Sequence, residues 1–109
     1  MNIRSAKPAD RPAIRDVARR SLEQSYSLSP QAISTAIEKW YDEAEMKARF
    51  ADDSRLFLVV ERDDQVVAFS ESVHSEEGDE ATLLWLHVDP AYRDRGIANA
   101  LFDETIERL

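Results

Sequence analysis

The residues best suited to chemistry lie between positions 89 and 98, where an apolar run turns into an amphipathic segment. Arg93 and Arg95 bring two guanidinium groups into an otherwise acidic chain, and Gly96 stands where a helix would begin. A helix N-terminus offers backbone N–H groups and the positive end of the helix dipole, which together suit a pyrophosphate. A glycine there allows close approach of the phosphates, because a side chain would occupy their space.

The same segment carries a family resemblance. The pattern Arg93-x-x-Gly96-x-Ala98, preceded by an apolar strand and by Pro90-x-Tyr92, resembles the signature Arg/Gln-x-x-Gly-x-Gly/Ala of the GNAT acetyltransferases. The resemblance implies acetyl-CoA as co-substrate, no metal, and direct attack of an amine on the thioester without a covalent enzyme intermediate. The acceptor would be a small-molecule or peptide amine. The cofactor-binding residues that it implies are Leu86, Val88, Arg93, Asp94, Arg95, Gly96, Ile97 and Ala98.

The implied roles are specific. Backbone N–H groups from Arg93 to Ala98 would hold the pyrophosphate, and the backbone of Leu86 and Val88 would pair with the pantetheine arm. Two alternatives remain open. The segment could be a glycine-containing loop whose arginines only pair with nearby aspartates, and the chain could be a non-catalytic half-domain that binds acyl-CoA or a partner protein.

The general base is less defined. The resemblance places a glutamate near the start of the central strand in some members, and Thr82, which cannot act as a base, occupies the nearest position here. Glu80 or Glu71 could act through a water molecule, and His87 has a suitable ordinary pKa of about 6.5. A single histidine in an apolar strand is more often a hydrogen-bonded core residue.

Trp40 and Tyr41 end an apolar helical stripe. They could line the acceptor pocket, although core packing is the more common role for aromatic residues at this spacing.

Composition limits the class of protein. The net charge of −8 disfavours a nucleic-acid partner, which would need a basic surface. The chain has no cysteine, no apolar signal core and no run of about 20 apolar residues, so we expect a cytoplasmic protein without a membrane partner. The acidic balance also suggests a halophilic origin, a hypothesis that loss of helical circular dichroism at low salt would support.

Periodicity predicts the elements that position this segment. Proline and capping residues mark helix starts near Asp10 and Ser29, and alternation or apolar runs mark strands. The predicted strands are Asn2–Ser5, Leu56–Val60, Val66–Val73 and Leu83–Val88, and we expect the last strand to be central. The predicted helices are Asp10–Ser25, with Tyr26 on its apolar stripe, a second from Ser29 to Tyr41, Glu43–Phe50 and Ile97–Leu109. Ser75–Asp79 is predicted to be a polar loop.

The order of elements predicts an α+β fold, a layered arrangement with a mainly antiparallel sheet flanked by helices, similar to the acyl-CoA N-acyltransferases. We expect a single partial GNAT domain over 1–109, with a strand and helices in 1–55, a three-stranded sheet portion in 56–88, and the pyrophosphate loop and helix in 89–109. We expect this chain to lack the C-terminal strands of the family. Because an uncovered strand edge invites pairing, we also expect a homodimer.

Overall fold

The structure is a computed structural model that describes residues 1–25, 28–75 and 80–108. Three features of the sequence prediction therefore lie outside the described residues. They are the assignment of Tyr26 to the first helix, most of the polar loop (76–79), and the end of the last helix at Leu109.

The described chain forms one four-stranded antiparallel sheet in the order β1-β2-β3-β4, with helices on both faces. The predicted α+β class is confirmed. The strands are β1 (Asn2–Ser5), β2 (Arg55–Arg62), β3 (Gln65–His74) and β4 (Ala81–Val88), and the helices are α1 (Arg11–Ser25), α2 (Pro30–Trp40), α3 (Glu43–Phe50) and α4 (Ile97–Arg108), with short 3-10 turns at Pro8–Asp10 and Pro90–Tyr92.

The helices begin where the sequence places capping residues. Ser29 Oγ accepts a hydrogen bond from the backbone N–H of Ala32 at 3.1 Å, and Asp42 caps α3 through the N–H of Glu45 at 2.8 Å. Each bond satisfies an N–H group that has no partner inside its helix. Asp10 directly precedes α1, but its carboxylate accepts from the backbone N–H of Lys7 and from Arg4.

The hairpin between β2 and β3 closes through a two-residue turn. Asp63 and Asp64 both have positive φ angles, 54° and 63°, as a type I′ turn requires. The central residues of both strands are buried because helices cover the sheet on each side. The turn therefore fixes the register of the two strands that form the centre of the core.

Two apolar clusters divide the core between the faces of the sheet. One lies under α1, α2 and α3, and it is built around Ile14, Ile37 and Phe69. The other lies under α4, where Ile97 and Leu101 pack against the opposite face of β2 and β3. Since α4 follows β4 directly, the loop between them carries the chain from the strand to this second face.

The prediction that Leu83–Val88 is central is wrong for the described sheet. Among the described strands, β4 pairs only with β3 and lies at the edge. Its apolar character on both faces arises because α1 and α4 pack on opposite sides of its C-terminal half. The N-terminal half is uncovered, and Leu83 and Leu84 are 41% and 38% exposed.

Candidate active site

Contacts of Asp89 hold the first half of the loop between β4 and α4. Asp89 Oδ1 accepts from the N–H of Ala91 at 3.0 Å, and Asp89 Oδ2 lies 2.8 Å from Nη2 of Arg20 on α1. The N–H of Tyr92 donates to the carbonyl of Asp89 at 2.8 Å. These contacts fix the first half of the loop to the end of β4 and to α1.

The second half of the loop has left-handed backbone at two positions. Asp94 has φ 63° and Gly96 has φ 75°. Such a conformation is strained for a residue with a side chain, which favours glycine at position 96. A Cβ atom added to Gly96 would meet nothing within 4 Å, so the glycine faces open space.

Gly96 also opens α4. Its carbonyl accepts the hydrogen bond from the N–H of Ala100 at 3.0 Å, the first bond of the helix. The N–H groups of Ile97, Ala98 and Asn99 therefore have no acceptor within the helix, as in any first turn. These donors and the helix dipole are the features on which the predicted pyrophosphate site rests, and the binding itself stays a prediction.

A cleft of about 440 Å³ lies in front of this helix end. The end of β4, the loop and the first turn of α4 surround it, and α1 closes one side. Its lining consists of Ser21, Leu86, His87, Val88, Tyr92, Arg93, Asp94, Gly96, Ile97, Ala98 and Asn99. Seven of the eight predicted cofactor-binding residues line this single cleft. The eighth, Arg95, places its guanidinium 5.4 Å from the ring centre of Tyr92.

The backbone of β4 faces the cleft in the way that the resemblance implies. The N–H of Asp89 donates to the carbonyl of Val67 at 2.8 Å, which makes these two residues a hydrogen-bonded pair. In antiparallel strands such pairs alternate with non-bonded pairs. Leu86 and Val88, opposite Ser70 and Ala68, therefore direct their N–H and C=O groups away from β3, toward the free edge.

His87 links three elements at the back of the cleft. Its Nδ1 atom lies 3.0 Å from the hydroxyl of Ser21 on α1, and that hydroxyl also accepts from Nη2 of Arg93 at 3.4 Å. The imidazole is 8% exposed and packs between the rings of Phe69 and Trp85. Burial, followed by the nearby charge of Arg93, lowers the pKa of His87, so the ring is neutral near pH 7.

Glu71 lies elsewhere in the core. Its carboxylate is fully buried, with Oε2 2.6 Å from Nη1 of Arg55 and 3.3 Å from Nε of Arg49. It does not line the cleft. Two guanidinium groups contact the same carboxylate oxygen, so the position suits a structural ion pair between α3 and the sheet.

Glu80 and the aromatic pair also lie outside the cleft. Glu80 precedes β4, and six residues of extended chain, roughly 20 Å, separate it from Leu86. Tyr41 is buried in the core beside Phe69, and burial raises the pKa of its hydroxyl. Trp40 is 37% exposed and contacts Trp85, with ring centres 6.1 Å apart.

Three lining residues were not among the predicted site residues: Ser21, Tyr92 and Asn99. Tyr92 and Asn99 are within the motif segment, so its local spacing could have identified them. Ser21 is a small polar residue on the apolar stripe of α1. Only its position in that stripe distinguished it, and no local pattern indicated contact with a residue 66 positions away.

Two further properties concern the described part of the chain. Within it, no group of three or more acidic or histidine side chains is arranged to hold a metal ion. No helix among the described residues has the length and apolar character needed to cross a membrane.

Comparison with solved structures first identifies the fold. The N-acetyltransferase paiA of Thermoplasma acidophilum, solved in complex with coenzyme A, superposes with a TM-score of 0.90 at 24% identity, over 97% of this chain and 69% of its own. The ribosomal-protein-S18-alanine N-acetyltransferase of Escherichia coli gives 0.70 at 22% identity, over 98% and 57%. A GNAT acetyltransferase of Brucella melitensis, in complex with acetyl-CoA, gives 0.69 at 23% identity, over 98% and 66%. The fold is that of the N-acetyltransferases.

The family follows from the sequence itself. The family model described as the Acetyltransferase (GNAT) family matches residues 13–109, and the chain therefore belongs to this family. No curated protein gives a significant match to the chain. The chain spans about 57% to 69% of the length of the solved relatives described above. Family membership supports acyl transfer in general.

Proposed function

We propose that the chain binds acetyl-CoA in the cleft before α4 and takes part in acetyl transfer to a primary amine. The observation that carries this proposal is the convergence of the Gly96 turn, the first turn of α4 and the free backbone of Leu86 and Val88 on one cleft. The pyrophosphate would accept hydrogen bonds from N–H groups between Asp94 and Asn99. The resemblance implied donors from Arg93 to Ala98. The N–H of Arg93 already donates to the carbonyl of Pro90 at 3.4 Å, so the proposed donors begin one residue later, at Asp94.

The pantetheine arm would extend along the open edge of β4. There the N–H and C=O groups of Leu86 and Val88 can bond it as a further strand would. A backbone N–H at the end of the arm can stabilise the negative charge that develops on the thioester oxygen. The amine nitrogen forms a bond to the acetyl carbon, the C–S bond breaks, and CoA leaves as thiolate.

We propose His87 as the group that accepts the proton lost by the attacking amine. It lines the cleft, it is neutral near pH 7, and Ser21 fixes its ring orientation through Nδ1. A neutral imidazole has proton affinity suited to this step. Glu71 and Glu80, the other candidates, lie away from the cleft.

The cofactor part of the proposal is tested by thermal shift with acetyl-CoA. A ligand at one hundred times its dissociation constant stabilises the folded state by about 2.7 kcal/mol, and the midpoint should rise accordingly. Ala98→Glu places a carboxylate in the anion site, at an exposed position where a helix N-terminus tolerates negative charge. This variant should fold and lose the shift. Ala32→Glu, in the first turn of α2, is the matched control and should keep it.

The catalytic part is tested by release of CoA thiol in the presence of an amine. The chain has no cysteine, so a thiol reagent reports only CoA. His87→Gln should lower kcat about a hundredfold at neutral pH while the acetyl-CoA shift persists, and its activity should recover as rising pH deprotonates the amine. An acetyl-CoA shift without thiol release from any amine would instead favour the non-catalytic binding module.

We also propose self-association through the exposed start of β4, at residues 81–83 and away from the part that would bond the pantetheine arm, because β4 pairs on one side only among the described strands. Light scattering over a range of concentrations tests this directly. A mass corresponding to two chains is expected. A monomer at high protein concentration would contradict it.

A further inference from the structure

A second cavity adjoins the acetyl-CoA cleft. It measures about 340 Å³, within the range of small-molecule sites, and lies between the end of α1 and residues 84–87 of β4. We call it the apolar groove; its described lining is Leu22, Leu28, Leu84, Trp85, Leu86 and His87. Leu86 and His87 also line the acetyl-CoA cleft, so the two cavities share one wall.

The apolar groove is lined by apolar side chains along its length and by one imidazole at the wall that it shares with the acetyl-CoA cleft. Leu28 and Leu84 are 45% and 38% exposed, and Trp85 contacts the partly exposed Trp40. His87 is the only residue with an ionisable side chain among the described lining residues, and it stands at the shared wall. An occupant would therefore place an apolar body along the groove and one polar group at His87.

Resting on the function proposed above, we infer that the acceptor is a hydrophobic primary amine with an alkyl or aryl body. The amine nitrogen would lie at the shared wall, beside His87 and within reach of the thioester. A polyamine or an aminoglycoside has several ammonium groups. Each of them loses hydration in the groove, and the cost is uncompensated unless a carboxylate pairs with it. None of the six described lining residues carries a carboxylate.

The charge of the whole chain favours a cationic acceptor of any kind, so it does not by itself select a singly charged amine. The chain carries a net charge of −8, which attracts a protonated amine from solution. The groove itself then selects by apolar area, since each buried methylene contributes about 0.8 kcal/mol, or roughly a fourfold change in affinity. The kcat/KM for an amine should therefore increase with the length of its alkyl body and not with the number of its charges.

The experiment compares butylamine, hexylamine, phenethylamine and spermidine as acceptors in the thiol-release assay. We expect kcat/KM to rise about fourfold per added methylene from butylamine to hexylamine, with spermidine below both. Leu84→Ser should reduce kcat/KM for hexylamine about tenfold and leave the acetyl-CoA thermal shift intact. Leu83→Ser is the matched control, because Leu83 is an equally exposed neighbour that does not line the groove.

A second readout does not depend on catalysis. Trp40 and Trp85 are the two tryptophans of the chain; Trp85 lines the groove, and Trp40 lies against Trp85 with ring centres 6.1 Å apart. Hexylamine should change their fluorescence at concentrations where spermidine does not, and Leu84→Ser should weaken the response.

The outcomes separate the two proposals. If acetyl-CoA shifts the midpoint but kcat/KM is independent of chain length or spermidine is preferred, the hydrophobic-amine inference fails alone. If acetyl-CoA gives no shift, the proposed function fails and the inference with it. If Leu84→Ser changes the mass in light scattering and leaves the amine profile unchanged, the groove is an interface between copies and the inference is overturned.

Discussion

The hydroxyl of Ser21 lies 3.0 Å from Nδ1 of His87, although 66 residues separate them in the chain. This contact joins the C-terminal part of α1 to the end of β4. It also fixes the imidazole plane at the wall shared by the two cavities, because Nδ1 is engaged and the ring is packed between Phe69 and Trp85. The proposed base is thus held by packing and by one hydrogen bond from the opposite layer.

His87 should make stability depend on pH. In the unfolded chain its pKa is about 6.5, whereas burial and Arg93 lower the pKa in the folded state. Below about pH 6.5 the unfolded chain therefore binds the proton more readily, and stability falls as pH decreases toward the folded-state pKa. Urea unfolding between pH 7.5 and 5.5 measures this loss, which has an upper limit of about 1.4 kcal/mol per pH unit for one proton.

His87→Gln should remove that component, so its stability difference from the native chain should narrow as pH decreases. His74→Gln, at the end of β3, is the control with the same substitution away from the cleft. An identical pH dependence in the native chain and in His87→Gln would contradict the prediction.

Gly96→Ala should weaken acetyl-CoA binding more than it destabilises the fold. Alanine at φ 75° costs about 1 kcal/mol of backbone strain, and its Cβ would enter the open space before α4. We expect at least about a tenfold rise in the Kd of acetyl-CoA, measured by calorimetry. Asp64→Ala, at φ 63° in the β2–β3 turn, introduces comparable strain far from the cleft. Equal losses of affinity in both variants would refute a local role for Gly96.

Arg93→Gln should raise the Kd of acetyl-CoA about fivefold at low salt, since a guanidinium beside the loop attracts phosphate oxygens. Arg108→Gln makes the same change in net charge at the far end of α4, where Arg108 pairs with Glu104. That control should change the Kd little. The difference between the variants should shrink at about 1 M salt, where screening acts within about 3 Å.

Glu71→Gln should destabilise the chain by about 3 kcal/mol, because it leaves the guanidinium of Arg49 buried without its carboxylate. Glu45→Gln removes a weaker and partly exposed partner of Arg49, at 3.8 Å, and should cost less than about 1 kcal/mol. Chemical unfolding measures both. If Glu71 is purely structural, Glu71→Gln should keep the acetyl-CoA thermal shift under conditions where the variant is folded. Loss of that thermal shift would point to a role of Glu71 in the acetyl-CoA cleft.

Local sequence determined most of the elements. Ser29 caps α2 as predicted, and α3 has the predicted bounds. The start of α4 at Ile97, directly after Gly96, was also predictable. In each case the deciding interaction joins residues within four positions of each other, so propensity and capping are readable from the sequence.

Only the tertiary structure decided which side chains meet. Glu71 and His87 are both buried polar residues in strands, and the sequence around neither of them shows which side chains it meets. Glu71 faces two arginines from α3 and β2, whereas His87 faces Ser21 and two cavities. The edge position of β4 likewise depends on strand pairing. These outcomes arise from contacts between residues 16 to 66 positions apart, which depend on how layers pack and not on local preference.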